Sequence, residues 1–240
     1  MIEKMRSAGR LTSETLDFIS PYVKEGISTD ELDQLCHDFI VSHGGIPAPL
    51  NYKGFPKSIC TSINHVVCHG IPGSKKLKSG DIINIDVTVI LDGYHGDASR
   101  MFKIGKISKL ADRLIQVTYD ALMIGIDNAK PGKHMGDIGY AIQSYAERYG
   151  FSVVRDFCGH GIGTEFHCHP EVRHFGKKGS GVKIQEGMFF TIEPMVNAGR
   201  YQTKVLSDGW TAVTSDGSLS AQWEHTIAIM GHGPEILTLS

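Results

Sequence analysis

The sequence predicts an α+β fold of two similar halves, each running from helices into strands, fused as one domain over residues 1–240. Three observations point there. The first is a repeat at an offset of 106 residues. Leu32, Leu35, Cys36, Phe39 and Ile40 fall on Ile138, Ala141, Ile142, Tyr145 and Ala146, which is the apolar stripe of an amphipathic helix in both places. The second repeat, at an offset of 107, matches Gly80–Asp86 to Gly187–Glu193, two strands that each carry a carboxylate. The third is the pair Asp92-Gly93, a two-residue turn signal between β-rich runs. A weaker echo pairs Cys68-His69-Gly70-Ile71 with Gly159-His160-Gly161-Ile162. The halves divide near residue 106, at about 1–106 and 107–240, without a linker-like stretch.

Each element has a local reason. Residues 2–22 and 108–129 carry long helical patterns, one ahead of each repeated helix. Ser28 and Glu31 have the spacing of a capping box at the start of the first repeated helix. Gly44-Gly45 and Gly150 stop the two copies. In the strand from Ile82, Ile83 and Ile85 share one face while Asn84 and Asp86 take the other. A hairpin turning at Asp92-Gly93 sets Asp97 opposite Thr88. Asp86 and Asp97 are then diagonal neighbours, with backbones about 7–8 Å apart. In the second half, Thr191 and Glu193 oppose Phe190 and Ile192, and Glu224 faces away from Trp223, Ile227 and Ile229. His160 is expected in a glycine-rich turn where its imidazole meets these carboxylates.

Composition narrows the function. There are 24 Lys and Arg against 26 Asp and Glu, a net charge of -2, with 41% hydrophobic and 21% charged residues. That balance is globular and excludes disorder or a basic nucleic-acid surface. No apolar run reaches the roughly 18 residues of a membrane span, and the N-terminus lacks an apolar signal core. Five cysteines without CxxC pairs make neither a disulfide framework nor a thiolate zinc site, so a cytoplasmic location is expected. No membrane or nucleic-acid partner is expected.

Two carboxylates this close repel unless one binds a proton or both share a cation. Carboxylate oxygens with a single imidazole suit Mn(II), Fe(II), Co(II) or Zn(II). Four carboxylates exceed what one ion needs, and bridging carboxylates suit two ions about 3.5–4 Å apart. Taken singly, each residue also has a structural explanation. An Asp at a strand end commonly serves a turn, a His in a loop is commonly solvated, and Glu193 before Pro194 can simply end a strand.

The ordered motifs settle on a resemblance. They are Phe55-Pro56-Lys57-Ser58-Ile59-Cys60, Val67-Cys68-His69-Gly70-Ile71-Pro72, Asp86 with Asp97, Gly159–Gly163 with Phe166-His167, Thr191–Pro194, and Ser220–Thr226. Together they resemble, over essentially the whole chain, the type I methionine aminopeptidases of the short bacterial or organellar kind (peptidase family M24). The resemblance implies a pita-bread fold, a curved antiparallel sheet with helices on its outer face. It implies removal of the initiator methionine from nascent proteins and peptides when the second residue is small, by a metal-activated water. It carries over two divalent metal ions, with Asp86 chelating one, Asp97 and Glu224 bridging both, and His160 and Glu193 completing the other shell. Glu193 also moves the water's proton. His69 meets the substrate's amino end and His167 its scissile carbonyl. Tyr52, Phe55, Cys60, Phe166 and Trp210 match the methionine pocket, and Asn64, Val66 and Ser220 a monovalent-cation site.

The implied partners are nascent polypeptide N-termini, with action at the ribosome left open, and the implied state is a monomer. No N-terminal zinc-binding extension is expected, and the 33 residues from His160 to Glu193 leave no room for a type II insertion. His65, Cys168, His169 and His174 lie near the motifs but match no metal position. Two rivals remain: a prolidase or Pro-specific aminopeptidase, which usually carries an extra N-terminal domain, and a non-catalytic binding module on the same fold. The full ligand set favours the enzyme over the module. A serine hydrolase is disfavoured because no G-x-S-x-G elbow occurs.

Overall fold

A computed structural model describes residues 1–239; the last residue of the predicted domain, Ser240, lies outside them. Four α-helices are present: α1 Ile2–Ile19, α2 Thr29–Ser42, α3 Lys109–Asn128 and α4 Met135–Arg148. The first-half strands are β1 Ile46–Pro47, β2 Cys60–Ile63, β3 Val66–Cys68, β4 Ile82–Leu91 and β5 Tyr94–Lys103. In the second half lie β6 Ser152–Val153, β7 Gly159–Gly161, β8 Cys168–Val172, β9 Phe189–Ile192, β10 Met195–Asn197, β11 Thr203–Val205, β12 Ala212–Thr214, β13 Ser220–Gln222, β14 Glu224–Met230 and β15 Gly233–Ile236.

One curved antiparallel sheet dominates, in the order β1-β4-β5-β14-β9-β7-β8, with β2 beside β4 and β15 beside β14. Two three-stranded sheets, β13-β10-β6 and β11-β12-β3, close its flank. Helices cover the outer face over two cores. Leu11, Leu16, Leu32, Cys36 and Ile40 pack on Ile83, Ile85, Val87 and Val89 of β4. Leu114, Ile126, Ile138 and Ile142 pack on Phe190, Ile192, Ile227 and Ile229. Both helix stripes read from the repeat are therefore core faces.

The capping box of α2 forms as expected: the Glu31 N–H donates to the Ser28 hydroxyl and the Ser28 N–H to the Glu31 carboxylate. The first long helical pattern gives way at Pro21 to a 3-10 turn, Ser20–Tyr22. Asp92 (φ 52°) and Gly93 (φ 80°) both take the left-handed conformation that a tight hairpin turn requires, and Thr88 pairs with Asp97 as predicted.

One expectation is corrected. His160 is not in a turn but in the middle of β7. Its flanking glycines serve strand packing. A Cβ on Gly159 would overlap the carbonyl oxygen of Thr191, and one on Gly161 that of His169. Gly96 has a comparable role in β5, where a Cβ would run into the backbone of α1 at Ala8 and Gly9. The Thr12 hydroxyl donates to the Gly96 carbonyl there, so α1 fixes the strand one residue before Asp97.

Candidate metal centre

The five predicted ligands come from four neighbouring strands and one strand end. Asp86 lies on β4 and Asp97 on β5, where the Thr88 hydroxyl donates to Asp97 Oδ1 at 2.7 Å. Thr226 of β14 ties Asp97 from the other side. Its hydroxyl accepts the Asp97 N–H at 3.0 Å and donates to the Asp97 carbonyl at 2.8 Å. Glu224 starts β14 opposite Ser99, two residues from Asp97 on β5.

Glu193 follows β9, where Pro194 cannot continue a ladder. Its N–H donates instead to Nε2 of His174, 3.1 Å away and fully buried. The carboxylate accepts the Thr191 hydroxyl at 2.9 Å and the Gln222 amide at 3.2 Å. Thr191 also accepts the His160 N–H at 3.0 Å, joining β7 to β9 at the site. His160 Nδ1 lies 3.1 Å from the Gly161 carbonyl, which puts a proton on Nδ1, so in the neutral ring Nε2 carries the lone pair. That Nε2 is 3.6 Å from Asp97 Oδ2 and 3.7 Å from Glu193 Oε1.

Donor atoms of Asp97, His160 and Glu224 all lie within 4.8 Å of one another. Asp86 and Glu193 line the same cavity of about 380 Å³. Among the described residues, the ion pairs within 4 Å of these four carboxylates all involve His160. Burial, with Asp97 and Glu193 nearby, pushes the Asp86 carboxyl well above its usual range. Burial and the charges of Asp97, Glu193 and Asp86 do the same to Glu224. Burial raises Glu193 to about 7, against the pull of His160 and with a push from Asp97. His160 itself is raised, its carboxylate neighbours outweighing its burial. Oxygen donors that compete for protons, beside an imidazole with a free lone pair, fit hard or borderline divalent cations.

The cavity walls are aromatic. Phe55 meets Trp210 edge-on at 5.2 Å, and Tyr52 meets Phe166 at 4.8 Å. Cys60 completes this wall, its thiol pushed far up by burial and the nearby carboxylates. His69 (φ 55°) and His167 stand at the same cavity. Burial lowers His69; water exclusion in the cleft and neighbouring His160 lower His167 to about 4. Asn64 and Ser220 meet where the Ser220 N–H donates to the Asn64 carbonyl, while Val66 pairs with Val213 of β12. His65, Cys168 and His169 are exposed and take no part in the centre.

The sequence reading missed Thr88, Thr191, Gln222 and Thr226 as ligand partners. Period-two spacing could have found them, since each lies two residues from a ligand along a strand or faces one across the hairpin. Phe157 and Met195, which also line the cavity, and His174 behind Glu193 carry no such local signal.

A curved antiparallel sheet holding a buried carboxylate–imidazole centre in an aromatic-walled cavity defines a metallohydrolase. The model of metallopeptidase family M24 matches residues 3–230. A methionine aminopeptidase of Rickettsia prowazekii is 63% identical over 239 residues, covering 99% of this chain and 92% of that protein. Methionine aminopeptidase A of Synechocystis is 57% identical, covering 99% and 94%. The crystal structure of methionine aminopeptidase from Rickettsia prowazekii superposes with a TM-score of 0.98 at 62% identity, over 99% of this chain and 96% of that one. A prolidase from Pyrococcus furiosus, 19% identical with a TM-score of 0.79, shares the fold alone; this chain covers 64% of it. The chain belongs to metallopeptidase family M24 and, within it, to the methionine aminopeptidases. Its architecture is the pita-bread fold. Among the described residues, no helix is long and apolar enough to cross a membrane.

Proposed function

We propose that this protein removes the initiator methionine from nascent polypeptides whose second residue is small, with two divalent ions held by Asp86, Asp97, His160, Glu193 and Glu224. The observation that carries the reading is their convergence on one cavity with apolar, aromatic walls. When bound, the ions supply Lewis-acid polarisation of the scissile carbonyl and a water nucleophile active near neutral pH.

The protein's own residues do the rest. Asp97 and Glu224, whose donor atoms lie within 4.8 Å of that of His160, would help to hold both ions. Phe55, Cys60, Phe166 and Trp210, with the Tyr52 ring, receive the unbranched methionine side chain, whose sulfur gains from aromatic contact. His69 orients the substrate's amino end. His167, neutral at pH 7, offers an N–H to the scissile carbonyl oxygen as negative charge develops there. Glu193, held by Thr191 and Gln222, carries a proton from the attacking water to the leaving amide nitrogen. The cavity excludes a bulky second residue by steric conflict at its charged end. Backbone carbonyls of Asn64, Val66 and Ser220 would supply the monovalent-cation site.

Mass spectrometry of Met-Ala-Ser against Met-Leu-Ser peptides, with and without Mn(II) or Co(II), tests the reading. Cleavage of the first only, lost on chelation, is expected. Equal cleavage of both, or cleavage that survives exhaustive chelation, defeats it. A Met-Pro against Xaa-Pro panel separates this activity from that of a prolidase.

A further inference from the structure

We propose that the Tyr52 hydroxyl fixes the tautomer of His167, and so decides which ring nitrogen offers a proton to the substrate. The inference rests on the reading of His167 as the group facing the scissile carbonyl.

The Tyr52 hydroxyl lies 3.0 Å from His167 Nδ1. The two rings stack at 5.2 Å with 27° between their planes, while Phe166 and His160 each press on the imidazole at 4.1 Å. His167 is therefore held by three rings and one hydrogen bond. The geometry admits two arrangements, Tyr O–H donating to Nδ1 or Nδ1–H donating to the phenol oxygen. Chemistry chooses between them. An unprotonated imidazole nitrogen is a far better acceptor than a phenol oxygen, whose lone pair is drawn into the ring, and a phenol is a good donor. Lys53 adds to this. Its ammonium lies 5.2 Å from the Tyr52 ring centroid, and a cation over a phenol ring strengthens its O–H as a donor.

The turn that presents Tyr52 is held in an unusual backbone. Asn51 (φ 67°) and Lys53 (φ 47°), on either side of Tyr52, are both left-handed, a conformation that strains a non-glycine residue. Hydrogen bonds from the Asn51 N–H to the Phe55 carbonyl and from the Tyr52 N–H to the Pro49 carbonyl lock it. The ring is thereby set against Phe166 with its hydroxyl on His167.

With Nδ1 accepting, the neutral imidazole carries its proton on Nε2. Nδ1 is occupied, so Nε2 is the nitrogen left for the substrate, and it arrives as a donor. In the other tautomer Nε2 would present a lone pair to the carbonyl oxygen, and the stabilising hydrogen bond would become a repulsion. Tyr52 is thus a positioning residue acting through His167, in addition to forming part of the pocket wall.

Tyr52→Phe removes only the hydroxyl and keeps the ring packing. Long-range proton–nitrogen NMR on histidine-labelled, Zn(II)-loaded protein reads the tautomer directly. The wild type is expected to show His167 solely as the Nε2–H form and Tyr52→Phe a mixture. The variant's kcat on Met-Ala-Ser should fall roughly 10- to 100-fold with little change in KM, since the lost contact matters mainly in the transition state. In a His167→Ala background, Tyr52→Phe should have no further effect on kcat. An Nδ1–H form in the wild type overturns the proposal, as does a Tyr52→Phe protein that keeps the single Nε2–H form. The tautomer is read without cleavage. His167→Ala with undiminished kcat would therefore overturn His167's contact with the carbonyl, a failure distinct from loss of Tyr52's control of the ring.

Discussion

The two halves reach the same centre by different means. The first half delivers Asp86 and Asp97 on a single hairpin, two ten-residue strands joined by a two-residue turn. The second half delivers His160 from β7, Glu193 from just past β9 and Glu224 from β14, strands that meet one another and β5 only across long stretches of chain. A hairpin fixes its register locally, so the spacing of Asp86 and Asp97 is set by their own turn, while Thr226 of β14 and Thr12 of α1 hold β5 in place from outside. The second set depends on threonine bridges, on His174 and on glycines that let strands approach. One half is a hairpin arm that carries two candidate ligands; the other is an assembled wall.

The largest test of this contrast removes a ligand from each half. Asp97→Ala should release both ions and lower kcat/KM by about 1000-fold or more, because several kcal/mol of stabilisation are lost at tenfold per 1.36 kcal/mol. Glu193→Ala should release one ion preferentially. Metal content by elemental analysis, read beside peptide kinetics, distinguishes them. Equal loss in both variants would erase the division between shared and unshared ligands.

Next come the glycines. Gly161→Ala sets a methyl against the His169 carbonyl in a buried strand, and should destabilise by about 3 kcal/mol or abolish folding. Gly93→Ala, in an open turn at φ 80°, meets nothing nearby and should cost only about 1 kcal/mol. Denaturant melts of both variants measure the difference. A costlier turn than strand would reverse the contrast.

Dependence on pH should come from both halves, through Asp86, whose carboxyl burial pushes well above its usual range, and through Glu193. Glu193 has a folded value of about 7 against 4.5 unfolded, so the folded state binds the extra proton. Without ions, the stability it contributes is full below 4.5 and lost as pH rises through 7. His167 and His225, both lowered to about 4, and His174, lowered to about 3, act at the other end. Their contribution is present above 6.5 and lost as pH falls toward these values. The chelated protein should therefore melt several degrees lower at pH 8 than near pH 6, and added Mn(II) should remove the alkaline loss. A flat chelated profile across that range would show that the carboxylates do not carry the strain assigned to them.

The smallest effects should be equal in the two halves. Ser28 caps α2 and Ser108 caps α3, each accepting a first-turn N–H. Replacing either by alanine should cost about 1 kcal/mol in thermal stability without changing peptide turnover. A kinetic effect of one cap alone would show that its helix positions the site.

Much of this was written in the chain. The helix stripes, the capping box, the Asp92-Gly93 turn and the face shared by Thr191 and Glu193 all follow from short-range spacing, because side-chain direction repeats every two or 3.6 residues. The motif resemblance added the roles proposed for Asp86, Asp97, His160, Glu193 and Glu224. The expected turn around His160 was wrong because glycine marks both turns and close strand approach, and only the neighbouring strands show which applies. His174 gave no signal at all, since its partner is a backbone N–H nineteen residues away.

The sequence by itself determined the four helices, the Asp92-Gly93 hairpin with its Asp86–Asp97 spacing, and the strand faces that carry Glu193 and Glu224. Only the tertiary structure decided that His160, Glu193 and Glu224 meet that pair, that Glu193 leans on His174 and Gln222, and that Tyr52 holds His167. Local geometry is set by bonds and turns within a few residues. These contacts come from strands far apart in the chain, which the folding of two cores brings together.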